Sequence, residues 1–243
     1  MRSFMKYIYG PVNSRRLGNS LGLSLTPFKA CSFDCVYCQL GRTTNLTVKR
    51  KKYININEIL SELKAWIKDN KTKAKKLDYI TFSGMGEPTL NSDIGGLIKA
   101  IKKVISVPVA VITNSTFLKD YNLRQSLLSA DLIVPSLDAV TQDIFESIDK
   151  PKKGIKVEDI IKGLIVLRQE FKGKIWLEVM LVKGINDSIA HINKLKTIIS
   201  KIKPDRIQIN SPVRRTAVAG LEKVSDSRLK QVKKILGSKC EVY

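Results

Sequence analysis

Histidine is nearly absent from this chain and cysteine is scarce: one histidine and four cysteines among 243 residues. Three of the cysteines, Cys31, Cys35 and Cys38, crowd into the stretch KACSFDCVYCQLGRTT. The fourth, Cys240, and the single histidine, His191, lie far along the chain. Three thiols this close cannot all pair as disulfides. A tetrahedral zinc site wants four protein ligands, and zinc knuckles and ferredoxins usually carry the fourth a few residues away. Here no such residue follows. The spacing therefore favours a [4Fe-4S] cluster on three cysteines, with one iron open to a substrate or cofactor, over zinc.

Long apolar runs are also missing. None is long enough to span a bilayer, and MRSFMKYIYG does not read as a signal peptide. A cytoplasmic protein with no membrane partner is expected, and unpaired thiolate ligands suit a reducing compartment. No repeat, low-complexity tract or linker divides the chain. The reading is one domain: an N-terminal extension over 1–19, a core over 20–210, and a C-terminal helix and tail over 211–243. Acidic residues are few, 22 against 43 lysines and arginines, for a net charge of +21. Basic clusters at 49–52, 71–76, 151–153 and Arg214–Arg215 would attract polyanions, RNA above all. The competing reading is a set of lysine-rich, solvated helix faces.

Apolar runs alternate with helical patterns. Strands are expected over 21–25, 79–84, 109–114, 132–137, 175–182 and 206–210. Helices are expected near 57–69, 92–104, 119–129, 157–171, 189–202 and 226–236, with Asn57 and Ser92 as caps and Gly173 and Gly237 as terminators. Six strands, each followed by a helix, imply an α/β fold with a parallel sheet and right-handed crossovers. Six units are too few for a closed eight-stranded barrel. The expected fold is an open (βα)6 partial TIM barrel. Chemistry in such folds sits at the C-terminal ends of the strands, which is where the cysteines fall.

Tyr37 makes the cluster motif Cys-x3-Cys-x-aromatic-Cys. With it, the chain resembles the radical S-adenosylmethionine (SAM) superfamily. The segment Gly84-Met85-Gly86-Glu87-Pro88 is similar to that superfamily's Gly-Gly-Glu-Pro motif, with Met85 interrupting it. From about Tyr9 to Arg214 the chain resembles the group related to the tRNA wyosine-synthesis enzymes. It lacks the cysteines for their second cluster, which speaks against wyosine chemistry. The resemblance implies the (βα)6 core, a [4Fe-4S] cluster on Cys31, Cys35 and Cys38, and SAM bound at its open iron. A reduced donor such as flavodoxin or ferredoxin would supply an electron. SAM would then yield a 5′-deoxyadenosyl radical that takes hydrogen from a substrate. It further implies that Gly86 and Glu87 grip the SAM amino group, that Tyr37 flanks the adenine, that Asn114 and Ser136 lie near the ribose or carboxylate, and that the loop Leu181–Asp187 packs on the adenine.

Other residues are read from their positions. Asp138 ends a strand and faces substrate or cofactor. Glu178 stands in an apolar strand and needs a partner, either a lysine or arginine or the substrate. Gln208 and Asn210 share a strand face leading to Arg214, across the barrel from the cysteines, where substrate contacts are expected. Ser14, Arg15 and Arg16 are read as anion-binding or plainly solvated. Cys240 is expected to be a small, partly buried hydrophobe, and His191 to lie at the surface. The substrate is a modified RNA base or, alternatively, a small metabolite or peptide. A reading of another class is a non-catalytic zinc or iron-sulfur module that binds RNA, which metal analysis would separate.

Overall fold

The computed structural model describes residues 5–243. In chain order its elements are β1 (Ile8–Ser14), β2 (Gly18–Leu23), β3 (Ala30–Cys31), β4 (Asn45–Leu46), α1 (Ile56–Asp69), α2 (Lys71–Ala74), β5 (Tyr79–Phe82), a 3-10 turn (Pro88–Leu90), α3 (Ile94–Val104), β6 (Val109–Thr113), α4 (Tyr121–Leu127), β7 (Leu132–Pro135), α5 (Gln142–Ile148), α6 (Val157–Glu170), β8 (Lys174–Met180), α7 (Ile189–Ile202), β9 (Arg206–Asn210), α8 (Asp226–Leu236) and β10 (Cys240–Val242). Eight strands form one sheet in the order β1-β2-β5-β6-β7-β8-β9-β10. From β2 onward every pairing is parallel. β1 is antiparallel to β2 at one edge. The expected six-stranded parallel core is present as an open sheet, extended by β10 and by the hairpin β1–β2.

Strand alternation sorts side chains between two compartments. One parity, including Leu21, Leu23, Ile80, Phe82, Val109, Val111, Ile133, Leu177 and Ile207, joins the apolar helix faces in the main core. The other parity faces the barrel lumen. Its floor is a separate cluster of Leu17, Ala110, Leu132, Val134 and Trp176, with Tyr79 and Ile112 against it. Trp176 on β8 meets Tyr79 on β5 edge to face, centroids 6.2 Å apart, and the Arg206 guanidinium lies 4.4 Å from the Trp176 ring centroid. Such an aromatic pair contributes about 0.5–1.5 kcal/mol beyond its buried area. Leu17, in the turn of the N-terminal hairpin, thus plugs the lumen, and the hairpin β1–β2 belongs to the barrel rather than merely preceding it.

Several local expectations are corrected. The side chain capping α1 is Asn55, which accepts from the Asn57 N–H, and α3 begins after Asp93 rather than Ser92. Gly237 does end α8, with φ of 93°. α6 stops at Phe171, two residues before Gly173. Cys240 is buried on β10 among apolar neighbours, as expected. His191 is not at the surface. It is 2% exposed on α7, and neither ring nitrogen has a hydrogen-bond partner. Its helix turns that position inward, beside Ile192 and Leu195. No helix is long and apolar enough to cross a membrane among the described residues.

Candidate functional site

The cysteine loop crosses the C-terminal ends of the strands and is pinned from several sides. Its first anchor is the turn after β5. The Lys29 N–H donates to the Met85 carbonyl, and the Glu87 N–H to that of Ala30. A Cβ on Gly86 would lie 2.0 Å from the Ala30 oxygen, so only glycine allows this approach. Its second anchor is α5 and the residues after it. The Asp34 N–H reaches the Asp149 and Lys150 carbonyls, and the Val36 N–H that of Ile148. Phe33 packs edge-on against Phe145 at 5.3 Å. Within the loop, Asp34 accepts from the Thr43 N–H and pairs with Arg42.

Cys31, Cys35 and Cys38 are all free thiols and partly exposed. Burial, with Glu87 next in effect, pushes the Cys31 thiol up to about 12. Burial and Asp149 raise Cys35 as well, with the Cys31 charge adding to the effect, and the Cys38 charge adds to the rise of Cys31. Thiolates here repel one another and want a cation, and a bound metal reverses that penalty by deprotonating its thiols outright. Among the described residues, no three His, Cys, Asp or Glu side chains gather tightly enough to cage one metal ion. Zinc, at about 2.3 Å from each sulfur, would need such closeness. A four-iron cluster is itself several ångströms wide and holds its cysteines apart. The donor set is three thiols on one loop, with the fourth cysteine away on β10, which fits a cluster with one open iron better than a four-ligand zinc site.

The expected SAM residues gather beside this loop. The Asn114 amide donates to Ser32 Oγ at 2.8 Å and lies 3.6 Å from Cys31 Sγ. Tyr37, Asn114, Ser136 and Asp138 line a common void of about 10 Å³. Asp138 is buried, accepting from the Tyr37 hydroxyl at 2.5 Å and from the Met180 N–H at 2.8 Å. Its carboxylate therefore fixes the Tyr37 ring and the end of β8. Burial raises the Asp138 pKa, and that of neighbouring Asp149 to about 7.

Glu87 is employed differently from what the resemblance implies. It is 3% exposed. One oxygen accepts from the Thr89 N–H at 3.0 Å, the Thr89 hydroxyl at 2.5 Å and the Thr113 hydroxyl at 2.7 Å. The other accepts from the Asn114 N–H at 2.8 Å. The carboxylate bolts the turn after β5 to the end of β6, and does not stand open to an ammonium group.

Two further residues carry no motif and were missed in the sequence. Lys29 is 2% exposed, has φ of 57°, and its ammonium lies 3.2 Å from Cys38 Sγ. Asp149 lies 3.3 Å from Cys35 Sγ. A buried lysine just before a cysteine pair was the available signal for the first. The second sits in the short loop after α5, an element the apolar pattern does not announce.

Across the mouth, the alternatives for Glu178 resolve to an internal partner. Arg16 Nη1 lies 2.7 Å from Glu178 Oε1, a close ion pair without the alignment of a hydrogen bond. The Asn210 amide donates to the same oxygen at 3.0 Å. Arg214 is exposed and donates to Gln39 at 3.3 Å.

A cluster-ready loop on the strand ends of an open parallel barrel defines the class. The Radical SAM superfamily model matches residues 25–195, and the chain belongs to that superfamily. Among solved structures of similar fold, Streptococcus suis SuiB is bound to S-adenosylmethionine at 18% identity, and TsrM from Kitasatospora setae holds cobalamin and a [4Fe-4S] cluster at 10%. Among curated relatives, a Brachyspira hyodysenteriae protein named GTPase Obg is 44% identical over 98% of this chain and 34% of its own length. This chain has no G-x-x-x-x-G-K-S/T phosphate loop. A UPF0026 protein of Synechocystis is 36% identical over 88% of this chain and 78% of that one. A probable dual-specificity RNA methyltransferase RlmN of Thermotoga maritima is 27% identical over 85% of this chain and 58% of that one. The chain thus spans about a third of the first of these relatives and most of the second. Of solved structures, a radical SAM methyltransferase from Sphaerobacter thermophilus superposes with a TM-score of 0.70 at 18% identity, covering 92% of this chain and 65% of that one. Archaeal TYW1 does so at 0.61 and 19%, covering 89% and 71%. Likeness at that level speaks for the fold alone, so the wyosine group is not assigned.

Proposed function

We propose that Cys31, Cys35 and Cys38 hold the cluster, and that SAM binds between them and the ends of β5, β6 and β7. The observation that carries this reading is the convergence of Asn114, 3.6 Å from Cys31 Sγ, with Tyr37, Ser136 and the Gly86 turn around one loop. Bound there, the cluster and SAM would supply the radical chemistry, on a substrate seated at the same mouth. The chain's own residues position and shield. Glu87 holds Asn114 and the Gly86 turn in register, leaving backbone carbonyls of that turn to meet the SAM ammonium. Asp138 holds Tyr37. Lys29 places a cation beside Cys38. Hydrophobic Phe33 and Val36 keep water from beneath the loop. A reduced flavodoxin or ferredoxin is the proposed electron donor.

RNA is a competing substrate reading, supported by the +21 charge and by the likeness to an RNA methyltransferase. The 13 lysines of α1, α2, α3, α7 and α8, of 43 basic residues in all, are exposed on the outer helices, however, so that share of the charge does not mark the mouth.

The test is anaerobic iron and sulfide analysis with SAM turnover. The reading expects about four irons and four sulfides per chain and release of 5′-deoxyadenosine on reduction. Stoichiometric zinc, or iron without SAM cleavage, would sink it.

A further inference from the structure

The wall of the mouth opposite the cysteines contains a polar cleft of about 240 Å³ between the N-terminal hairpin and the segment after β9. Arg15, Arg16, Gln39, Glu178, Asn210 and Arg214 line it. Gln39 directly follows Cys38, so the cleft and the cysteine loop share a border.

The charges divide into two layers. In the inner layer, Glu178 is already held by Arg16 at 2.7 Å and by the Asn210 amide at 3.0 Å. Gln208 lies opposite Glu178 in the β8–β9 register, on the same strand face as Asn210 and one step deeper. It is fully buried, and neither its amide oxygen nor its nitrogen has a partner. Unpaired buried amides are costly and rare. In the outer layer, Arg15 and Arg214 are exposed, and neither forms an ion pair among the described residues. Guanidinium forks match carboxylate and phosphate bidentately.

No aromatic ring lines the cleft. Splayed RNA bases are typically received on aromatic or guanidinium planes, and here both outer arginines stand at the rim, beside the open solvent. The volume equals about eight waters, at the small end of ligand pockets. Resting on the radical SAM reading of the adjacent loop, we infer that this cleft binds a small polar substrate through a carboxylate or phosphate group. Arg15 and Arg214 take the anion. Arg16, Glu178 and Asn210 read the polar body. The small size and the layering favour this over an RNA segment.

The experiment is calorimetric titration of the anaerobically reconstituted protein with inorganic phosphate, glycerol 3-phosphate, glutamate and a short single-stranded RNA. The proteins are wild type, the double variant Arg15→Gln with Arg214→Gln, the charge-keeping double variant Arg15→Lys with Arg214→Lys, and Arg215→Gln. Both altered arginines are exposed, and a melting curve checks each fold. The expected result is saturable binding of one small anion class, with phosphate and carboxylate arms telling which. It should weaken at least tenfold in the glutamine pair, less in the lysine pair, and stay unchanged in Arg215→Gln. RNA should bind weakly and lose no more affinity in the glutamine pair than in Arg215→Gln. The inference is overturned if no small anion binds, if the glutamine pair leaves that binding intact, or if RNA is the ligand whose affinity collapses with the pair. Iron content separates this failure from that of the functional reading. A wild type without four irons refutes the cluster, whereas a loaded protein indifferent to the arginines refutes only the cleft.

Discussion

The two walls of the barrel mouth are built in opposite ways. On the wall formed by β2, β5, β6 and β7, nearly every polar group is engaged inside the protein. Glu87 has four donors, Asp138 two, and Asn114 binds through both ends of its amide. On the wall formed by the hairpin, β8 and β9, charged groups stand open and Gln208 is unpaired. A saturated wall suits a partner of fixed chemistry that every turnover needs. A wall with spare donors suits the variable molecule. The difference teaches that, on the proposed reading, the cofactor side is the wall whose hydrogen bonds are already spent and the substrate side the wall with donors to spare.

The harshest way to break the comparison is to remove a thiol. Cys31→Ala, Cys35→Ala and Cys38→Ala should each abolish iron loading, while Cys240→Ala, on β10, should keep it. Iron analysis of the four variants checks this, and loss of iron in the Cys240 variant would contradict the ligand set. Next comes the rigidity of the closed wall. Glu87→Ala strands the Thr89, Thr113 and Asn114 donors in a buried site and should cost about 3 kcal/mol or more of folding stability. Glu178→Gln, on the open wall, should cost less, about 2 kcal/mol, because the new amide still offers an oxygen to the Asn210 amide. Urea titrations of both variants sharpen the contrast, and equal losses would erase it.

A smaller effect is expected at Lys29. Its buried ammonium beside Cys38 should stabilise the more negative, reduced cluster. Lys29→Met should retain iron and lower the cluster's midpoint potential, with Lys29→Arg near wild type, as read by a redox titration monitored by electron paramagnetic resonance. An unmoved potential in the methionine variant would mean that the cation does not act on the cluster.

The smallest effect lies outside both walls. Burial lowers the His191 pKa, with the Asp138 backbone and Asp143 opposing and Lys194 adding to the shift. The folded protein therefore keeps the ring neutral, while the unfolded chain takes a proton more readily. The contribution is complete above the unfolded value and is lost as pH falls below about 6.5. His191→Leu should flatten that part of the melting-temperature profile, and an unchanged acid slope would assign it to other groups.

The closed wall was far more legible in the sequence than the open one. Cysteine spacing and strand-end polar residues are local patterns, and Cys31, Asn114, Ser136 and Asp138 do meet. Their partners were not legible, because Glu87 serving Thr89, Thr113 and Asn114 depends on how two strand ends abut. The hairpin hid itself. β1 is an exposed edge strand with one inward residue at its start, so it lacks the alternation that marks β2. α5 is seven residues long and β10 three, too short for a periodic signal. His191 read as polar because a single side chain cannot reveal which face its helix turns inward.

The hairpin plug has a consequence for how the protein is made. Leu17 and Arg16 are synthesised early, but Trp176 and Glu178, which they meet, leave the ribosome far later. Contacts so distant in sequence form late and slowly. The lumen therefore stays unsealed throughout most of translation, since Leu17 meets β6 and β7 first and the β8 side of its floor arrives last. The cleft is finished only when the last parallel strands arrive, so a chain interrupted before β8 would carry a complete cysteine loop without the Glu178 and Asn210 side of the cleft.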